Sequence, residues 1–521
     1  MSTSTVSRFC NSINRVTSSI PYIAFSVSFG LMVDMATYGI MVPVLPFRLE
    51  STGYKDVAAT SSYLIAAFAF GLIISSIPIG IFGEVVKSRK APLLASLGFL
   101  TASLIMFWQS STFAVLMVAR IVQGFRVLSN FLAAISLALI SKSCMTNVHF
   151  VVYDSGTAIW TLGLALICDV VPEARIGSVM GYVIELGYVE AGQFSLKECV
   201  FFRIGWSIGT VGGPLAGGLL YDSLGYNSIF IFALVMRTSS IPHQQRASTA
   251  IDFFLRSLVQ DKKCIRNRQV TVENEVELSE KSVSSTLVPK SSEQSEAPKK
   301  PSAARALLSL LTNSRIWTIC AITFVLGFAF GGLLDTGMTM LVKERYGLSS
   351  RGAALIFIAA VVPSFFSSPL AGHYSDKYGA KWPIVVCLIL GTPFFGLLSM
   401  KGSLAAMIVY ITFTGIFIMA MAAPLMQDLA EVVFVTPGLG FSHVYGVFNM
   451  VYSTGAMVGP LCVGALLDHS GMESGWEIFS LVITGLFALC VIPAWFFLGG
   501  KKPAPIEAAV PTCDSKLDSP V

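Results

Sequence analysis

Charge is what this sequence lacks most: 12% of its residues are Asp, Glu, Lys or Arg, against about 25% in ordinary soluble domains. That scarcity excludes a water-soluble globular chain of this length, as does the 54% hydrophobic content. Paired cysteines are also missing. The ten cysteines are scattered singly, several inside apolar blocks (Cys168, Cys320, Cys387, Cys462 and Cys490), with no CxxC spacing and no histidine at ligand spacing. A disulfide framework and a metal site are therefore not expected. Nor is there a nucleophile, base and orienter trio or a phosphate-cradling loop, so an enzyme is not expected and no cofactor is implied. The net charge of +5 does not indicate nucleic-acid binding, because the Lys and Arg residues sit between apolar blocks where membrane topology accounts for them.

What remains is a polytopic membrane protein with a mean hydropathy of +0.72. About 20 apolar residues cross a bilayer, and on that rule spans fall near 20–45, 60–83, 91–110, 112–125 and 203–221. Others fall near 315–341, 352–374, 383–400, 404–426, 439–467 and 476–498. The first 19 residues are polar, and the apolar run after them is too long for a signal peptide. Residues 260–314, rich in Lys, Glu and Ser, read as a linker. Lys87, Arg89, Lys90, the linker, Lys377, Lys381, Lys501 and Lys502 fall on one side if both termini are cytoplasmic, whereas Lys343, Arg345 and Arg351 fall on the other.

The most informative stretch is RIGWSIGTVGGPLAGGLLYD, Arg203–Asp222. In a soluble helix each glycine costs about 1 kcal/mol against alanine, but in a membrane small residues let helix backbones approach closely. Gly209, Gly213, Pro214, Gly218 and Asp222 match Gly455, Gly459, Pro460, Gly464 and Asp468 without gaps. Gly80, Glu84 and Arg89 likewise match Gly372, Asp376 and Lys381, and FGLMVD ending at Asp34 resembles FGGLLD ending at Asp335. Two six-span halves related as parallel repeats follow, over 20–259 and 315–499, with tails at 1–19 and 500–521.

These residues resemble the major facilitator superfamily. GHYSDKYGAK from Gly372 is similar to its GxxxDKxGxK signature, from which GIFGEVVKSRK departs with Glu84 for Asp and Lys87 for glycine. RIVQG from Arg120 resembles its fourth-span signature, and SIGTVGGPLAGG the fifth-span signature of proton-coupled antiporters. DMATYGIMVPVLP from Asp34 is similar to the first span of vesicular amine transporters and of fungal twelve-span drug/proton antiporters. The resemblance implies an all-α twelve-span fold, with a substrate site near the midplane exposed alternately to each side.

Within this frame several residues could carry chemistry. Asp34 falls about mid-span, where an ionisable residue marks function by default; it reads as a proton site or the partner of a cationic substrate, or as a fixed structural ion pair. Asp335 holds the matching place in FGGLLD. Arg120 is a permanent cation, and the resemblance links its position to proton coupling. Glu431 matches an acidic position of vesicular amine transporters, although Asp428 could equally face the cavity, and Asn449 stands where those transporters carry a further acid. Glu84 with Arg89, and Asp376 with Lys377 and Lys381, suit gating ion pairs. Gly209, Gly213, Pro214, Gly218, Gly455, Gly459, Pro460 and Gly464 serve helix packing and bending. The expected function is secondary active export or sequestration of a small organic, cationic or amphipathic solute in exchange for protons, by a monomer in a plasma, vacuolar or vesicular membrane. The alternatives are an uncoupled facilitator and a transporter-like receptor without net transport.

Three segments break the repeat. Removing Ile184–Phe202 brings Gly181 and Gly213 into register with Gly446 and Gly459. Arg126–Asp154 separates Gly124 from the rest of the fourth span, and polar Arg237–Thr249 splits the sixth. Segment 184–202 carries Glu185, Glu190, Lys197 and Glu198 where a span is expected, and central charges cost about 2.5–3.5 kcal/mol each on insertion scales. Retained introns, or an equivalent coding error, account for 126–154, 184–202 and 237–249; the alternative is that they are genuine loops or re-entrant segments. Sequencing the spliced transcript is expected to find messages lacking all three, and a mature message encoding them all would refute this origin.

Overall fold

A computed structural model of the chain describes residues 35–82, 101–124, 205–239, 312–436 and 439–499, with Met32, Val33, Ile176 and Leu310. Asp34, Glu84, Arg89, segments 126–154, 184–202 and 240–249, nearly all of the linker, and both tails lie outside the described residues. Among those described, every regular element is a helix. The first half contributes α1 (Leu45–Ser51), α2 (Val57–Phe82), α3 (101–109), α4 (Phe113–Gly124), α5 (Gly205–Leu224) and α6 (226–239). The second contributes α7 (Ser314–Tyr346), α8 (Ser350–Tyr378), α9 (Lys381–Leu397), α10 (Leu404–Val435) and α11 (Phe441–Phe497). Five described segments, in α2, α7, α8, α10 and α11, are long and apolar enough to cross a membrane.

The breaks between helices follow local chemistry. Asn313 caps α7 by accepting the Arg315 backbone N–H at 3.0 Å, and Ser403 caps α10 by accepting that of Ala406 at 3.3 Å, as expected of N-cap side chains. At the end of α7 the chain turns through left-handed Gly347 (φ 64°), a conformation glycine adopts without steric cost. Gly471 (φ 75°, ψ 165°) interrupts α11, dividing it at the polar DHSGMES stretch between the two apolar runs expected from sequence. The helix that ends the first half runs through Arg237, Thr238 and Ser239, so the opening of the suspected interruption at 237 continues the helix for three residues.

Glycines set how the helices pack. Residues 32–40 lie against α5: a Cβ at Gly213 would stand 2.7 Å from the Ala36 carbonyl oxygen, and one at Gly209 would collide with that of Met32. In the second half Gly455 and Gly459 seat on the carbonyls of Phe324 and Phe328 in α7 in the same manner. Gly218 meets α8 at Ser350 and Ala354, while Gly464 meets α2 at Ser62. Hydrocarbon tails are as apolar as leucine, so close backbone contact supplies much of the helix association in a bilayer. The glycine ladder read from sequence is therefore used twice, once within each half and once between them.

This packing corrects one expectation. Gly39 faces the ring of Pro214, and Gly331 faces that of Pro460, which relates the first helix of each half by 292 positions. Gly80 and Gly372 are separated by the same interval, whereas Asp34 and Asp335 differ by 301. Asp335 therefore corresponds to Pro43 in the packing register, and FGLMVD and FGGLLD do not mark one shared place. Their similarity comes from glycine and leucine usage common to such helices. Gly124 seats on the Phe68 carbonyl just as Gly415 seats on that of Ala360, so the fourth helix packs like the tenth at an interval of 291, one residue less than in the preceding helices.

Gly459→Val is expected to force α7 and α11 apart, since overpacking of this kind costs about 1–3 kcal/mol. Thermal unfolding of the purified protein in detergent should show the loss as a lowered midpoint, and an unchanged midpoint would mean that the contact does not hold the pair.

Candidate functional site

Where helices of the two halves face one another they leave a central cavity of about 170 Å³. Its wall is mostly apolar: Met35, Phe68, Phe330, Phe357, Met419, Met426 and Phe448 contribute, with Tyr38, Thr210, Asn449 and Tyr452 adding polar atoms. Among the described lining residues Asp335 alone is charged. An apolar concavity with a few convergent polar groups is the usual form of a small-molecule site.

Asp335 owes its place to a local change of helix. Phe330–Met338 within α7 is π-helical, and Thr336 Oγ1 donates to the Gly331 carbonyl at 2.9 Å, five residues back. Gly331 and Gly332 allow this widened turn to press against α11, where their Cβ positions would fall on Ala456, Pro460 and Phe479. Such bulges recur at functional sites; here the extra residue in the turn carries the carboxylate at the cavity wall. The Tyr38 hydroxyl, from the first half, donates to Asp335 Oδ2 at 2.7 Å. Tyr38 itself stacks on Phe68 with ring centroids 4.7 Å apart. A second polar link crosses the halves where Asn449 Nδ2 donates to Ser76 Oγ at 2.8 Å.

The other sequence-nominated residues lie elsewhere. Arg120 is 2% exposed, its guanidinium 4.8 Å from the centroid of Phe107 and its Nη1 donating to Gln123 Oε1 at 3.0 Å; it does not line the cavity. Glu431 is also absent from the lining. It belongs to a cluster at the start of α7, where Arg315 donates to Asp428 through Nε at 2.9 Å and through Nη2 at 2.5 Å, and to Glu431 Oε2 at 2.6 Å. Asp428 is fully buried, and the bidentate guanidinium offsets the cost of burying it. Lys377 lies 5.2 Å from the ring centroid of Tyr378. Lys381 sits 5.8 Å from the rings of both Trp382 and Trp495. Asp376 stands two residues before the end of α8. Among the described residues no cluster of His, Cys, Asp and Glu could hold a metal ion.

At the bundle end formed by the close of α5 and the start of α8, the halves are joined. Asp222 Oδ2 accepts the Ser349 hydroxyl at 2.8 Å and the Arg351 backbone N–H at 3.1 Å, capping α8 from the opposite half. Ser350 Oγ donates to the Pro43 carbonyl at 3.2 Å, and Lys343 pairs with Glu50. Sequence reasoning passed over Tyr38, Arg315 and the capping role of Asp222. Arg315 reads as an ordinary flanking charge until its carboxylate partners, more than a hundred residues away, are folded against it. Tyr38 carried a signal of its own: it is a tyrosine inside the DMATYGIMVPVLP motif.

Three comparisons bear on the fold. A family model described as "Major Facilitator Superfamily" matches residues 320–513. The "Uncharacterized MFS-type transporter C18.02" of Schizosaccharomyces pombe is 24% identical over 89% of this chain and 93% of its own. The "MFS-type transporter ppzB" of Metarhizium majus is 24% identical over 91% of this chain and 99% of its own. The crystal structure of the human organic anion transporter MFSD10 shares the fold with a TM-score of 0.54 at 15% identity, covering 91% of this chain and 99% of that one. Several apolar helices among the described residues, the cavity they enclose and these relatives mark an integral multi-pass membrane transporter, similar over its second half to the major facilitator superfamily.

Proposed function

We propose that the protein is a twelve-span carrier that exchanges protons for a small organic cation or amphipathic base by alternating access, with both termini cytoplasmic. The observation that carries this reading is Asp335: the one charged side chain among the described residues that line the cavity, set in an otherwise aromatic and methionine-rich wall. A carboxylate there attracts a cation and repels an anion, while the aromatic faces favour a ring-bearing or quaternary solute. A single carboxylate that holds either a proton or the solute, but never both, couples the two flows, because each occupant then stabilises a different face of the cycle.

The contacts between the halves support alternating access. Asp222, Ser349 and Arg351, with Lys343 and Glu50, join the halves at one end of the bundle. The hydrogen bonds and the one exposed ion pair lie beside the close seat of Gly218 on Ser350 and Ala354, and an exposed pair contributes about 0–1 kcal/mol, weak enough to break and re-form as the halves rock. The paired glycine seats of α5 and α11 support two halves of matching construction, since each set packs on the first helix of its own half. Arg315, Asp428 and Glu431 hold α7 to α10 inside the second half, so that half moves as a unit. Asp34, by its place in the sequence, is the second candidate carboxylate.

In proteoliposomes carrying the full chain, an imposed pH gradient should drive accumulation of an aromatic monocation such as ethidium. Asp335→Asn, and Asp34→Asn on the sequence argument, are each expected to reduce that accumulation at least about tenfold, the factor set by losing about 1.4 kcal/mol or more of charge attraction. Accumulation at the parental rate would remove the substituted residue from the mechanism, and uptake insensitive to the gradient would mark an uncoupled facilitator.

A further inference from the structure

Resting on the reading of Asp335 as the shared carboxylate, we propose that Tyr38 is a positioning residue for coupling: its hydroxyl crosses the cavity and competes with the transported cation or proton for that carboxylate. The two ends of this hydrogen bond are anchored in different halves. Tyr38 is held by its stack on Phe68 of α2, and the adjoining Gly39 is pressed against the ring of Pro214 in α5, where a Cβ would stand 2.6 Å from the proline Cδ. Asp335 is held by the π-helical turn of α7, which Gly331 and Gly332 seat on α11. Neither partner can follow the other when the halves separate, so the 2.7 Å bond must break.

Its strength depends on what Asp335 carries. A hydrogen bond to an ionised acceptor is roughly twice as strong as one to a neutral acceptor. A proton on Asp335 therefore weakens the link, and an organic cation bound to the carboxylate oxygens competes with the hydroxyl directly. Among the described residues, ionisable neighbours are few. Tyr452 of α11 lines the same cavity, and α2, α5, α8 and α10 contribute no charged side chain to it. Arg120 of α4 is buried against Phe107, and Asp34 lies outside the described residues. Tyr38 thus converts the charge of one side chain into a change in how firmly the two halves are joined.

The test uses the full-length protein with ethidium as the probe. Tyr38→Phe keeps the ring, and with it the stack on Phe68, but removes the hydroxyl. Binding to purified protein, followed by fluorescence anisotropy, should tighten about three- to tenfold once the competitor is gone, in line with the loss of one such hydrogen bond. The maximal rate of gradient-driven uptake should fall at least threefold as cation binding ceases to release a cross-half link. A lower KM together with a lower maximal rate is a pair of changes that a merely structural defect does not produce, because damaged protein lowers the amount of active carrier without improving affinity. Unchanged or weaker binding, or an unchanged maximal rate, would overturn the role of Tyr38. Asp335→Asn separates the two claims. Parental ethidium binding by that variant, or none by the unaltered chain, defeats the reading of the site; loss in Asp335→Asn with no change in Tyr38→Phe defeats the tyrosine alone.

Discussion

Close contact between helix backbones is the constraint on which this structure depends. In lipid an apolar side chain gains little by leaving one apolar surroundings for another, so helices associate through tight van der Waals contact where small residues permit it. Gly209 and Gly213 on residues 32–36, and Gly455 and Gly459 on Phe324 and Phe328, bring carbonyl oxygens against helix faces at distances no side chain would allow. These seats fix the height of each first helix against its partner. They thereby decide which residues meet at the centre. Moving a seat by one turn would carry Tyr38 and Asp335 out of reach of one another.

Against that rigid frame the cavity is built from exceptions. The π-helical turn at Phe330–Met338 departs from regular helix, and it carries a carboxylate to an apolar wall. The link from Tyr38 spans the halves, as does that from Asn449 to Ser76. Both join elements that also pack on one another or on their neighbours across the halves, as Gly464 of α11 does on Ser62 of α2. Rigid-body rocking needs cohesion within each half and contacts between the halves that can part and re-form. The buried cluster of Arg315 with Asp428 and Glu431 belongs to the first category, since both of its helices lie in the second half.

Much of this was legible in the sequence, for identifiable physical reasons. Apolar runs revealed the helices because the bilayer leaves no other use for them, and the glycine spacing of Arg203–Asp222 marked a packing helix because glycine is otherwise costly there. Asp335 stood out as a charge inside an apolar run. What the sequence concealed were relations between distant residues. Arg315 looked like a topological flank, and its partners Asp428 and Glu431 lie 113 and 116 positions away. The apparent equivalence of Asp34 and Asp335 came from a similar string of letters. The facing pairs Gly39 with Pro214 and Gly331 with Pro460 showed the register to differ. Asn449 was noticed as a neutral side chain where an acid was expected, and its amide proved to serve a contact between the halves.

The central claim is that one carboxylate in the cavity exchanges a proton for the solute. It is tested most directly by counting protons released when ethidium is added to purified carrier in weakly buffered solution, read with a soluble pH indicator. The account predicts release approaching one proton per cation bound when the site starts protonated, and none from Asp335→Asn. Stoichiometric binding by the unaltered protein without any proton release, across the range of starting pH, would contradict it.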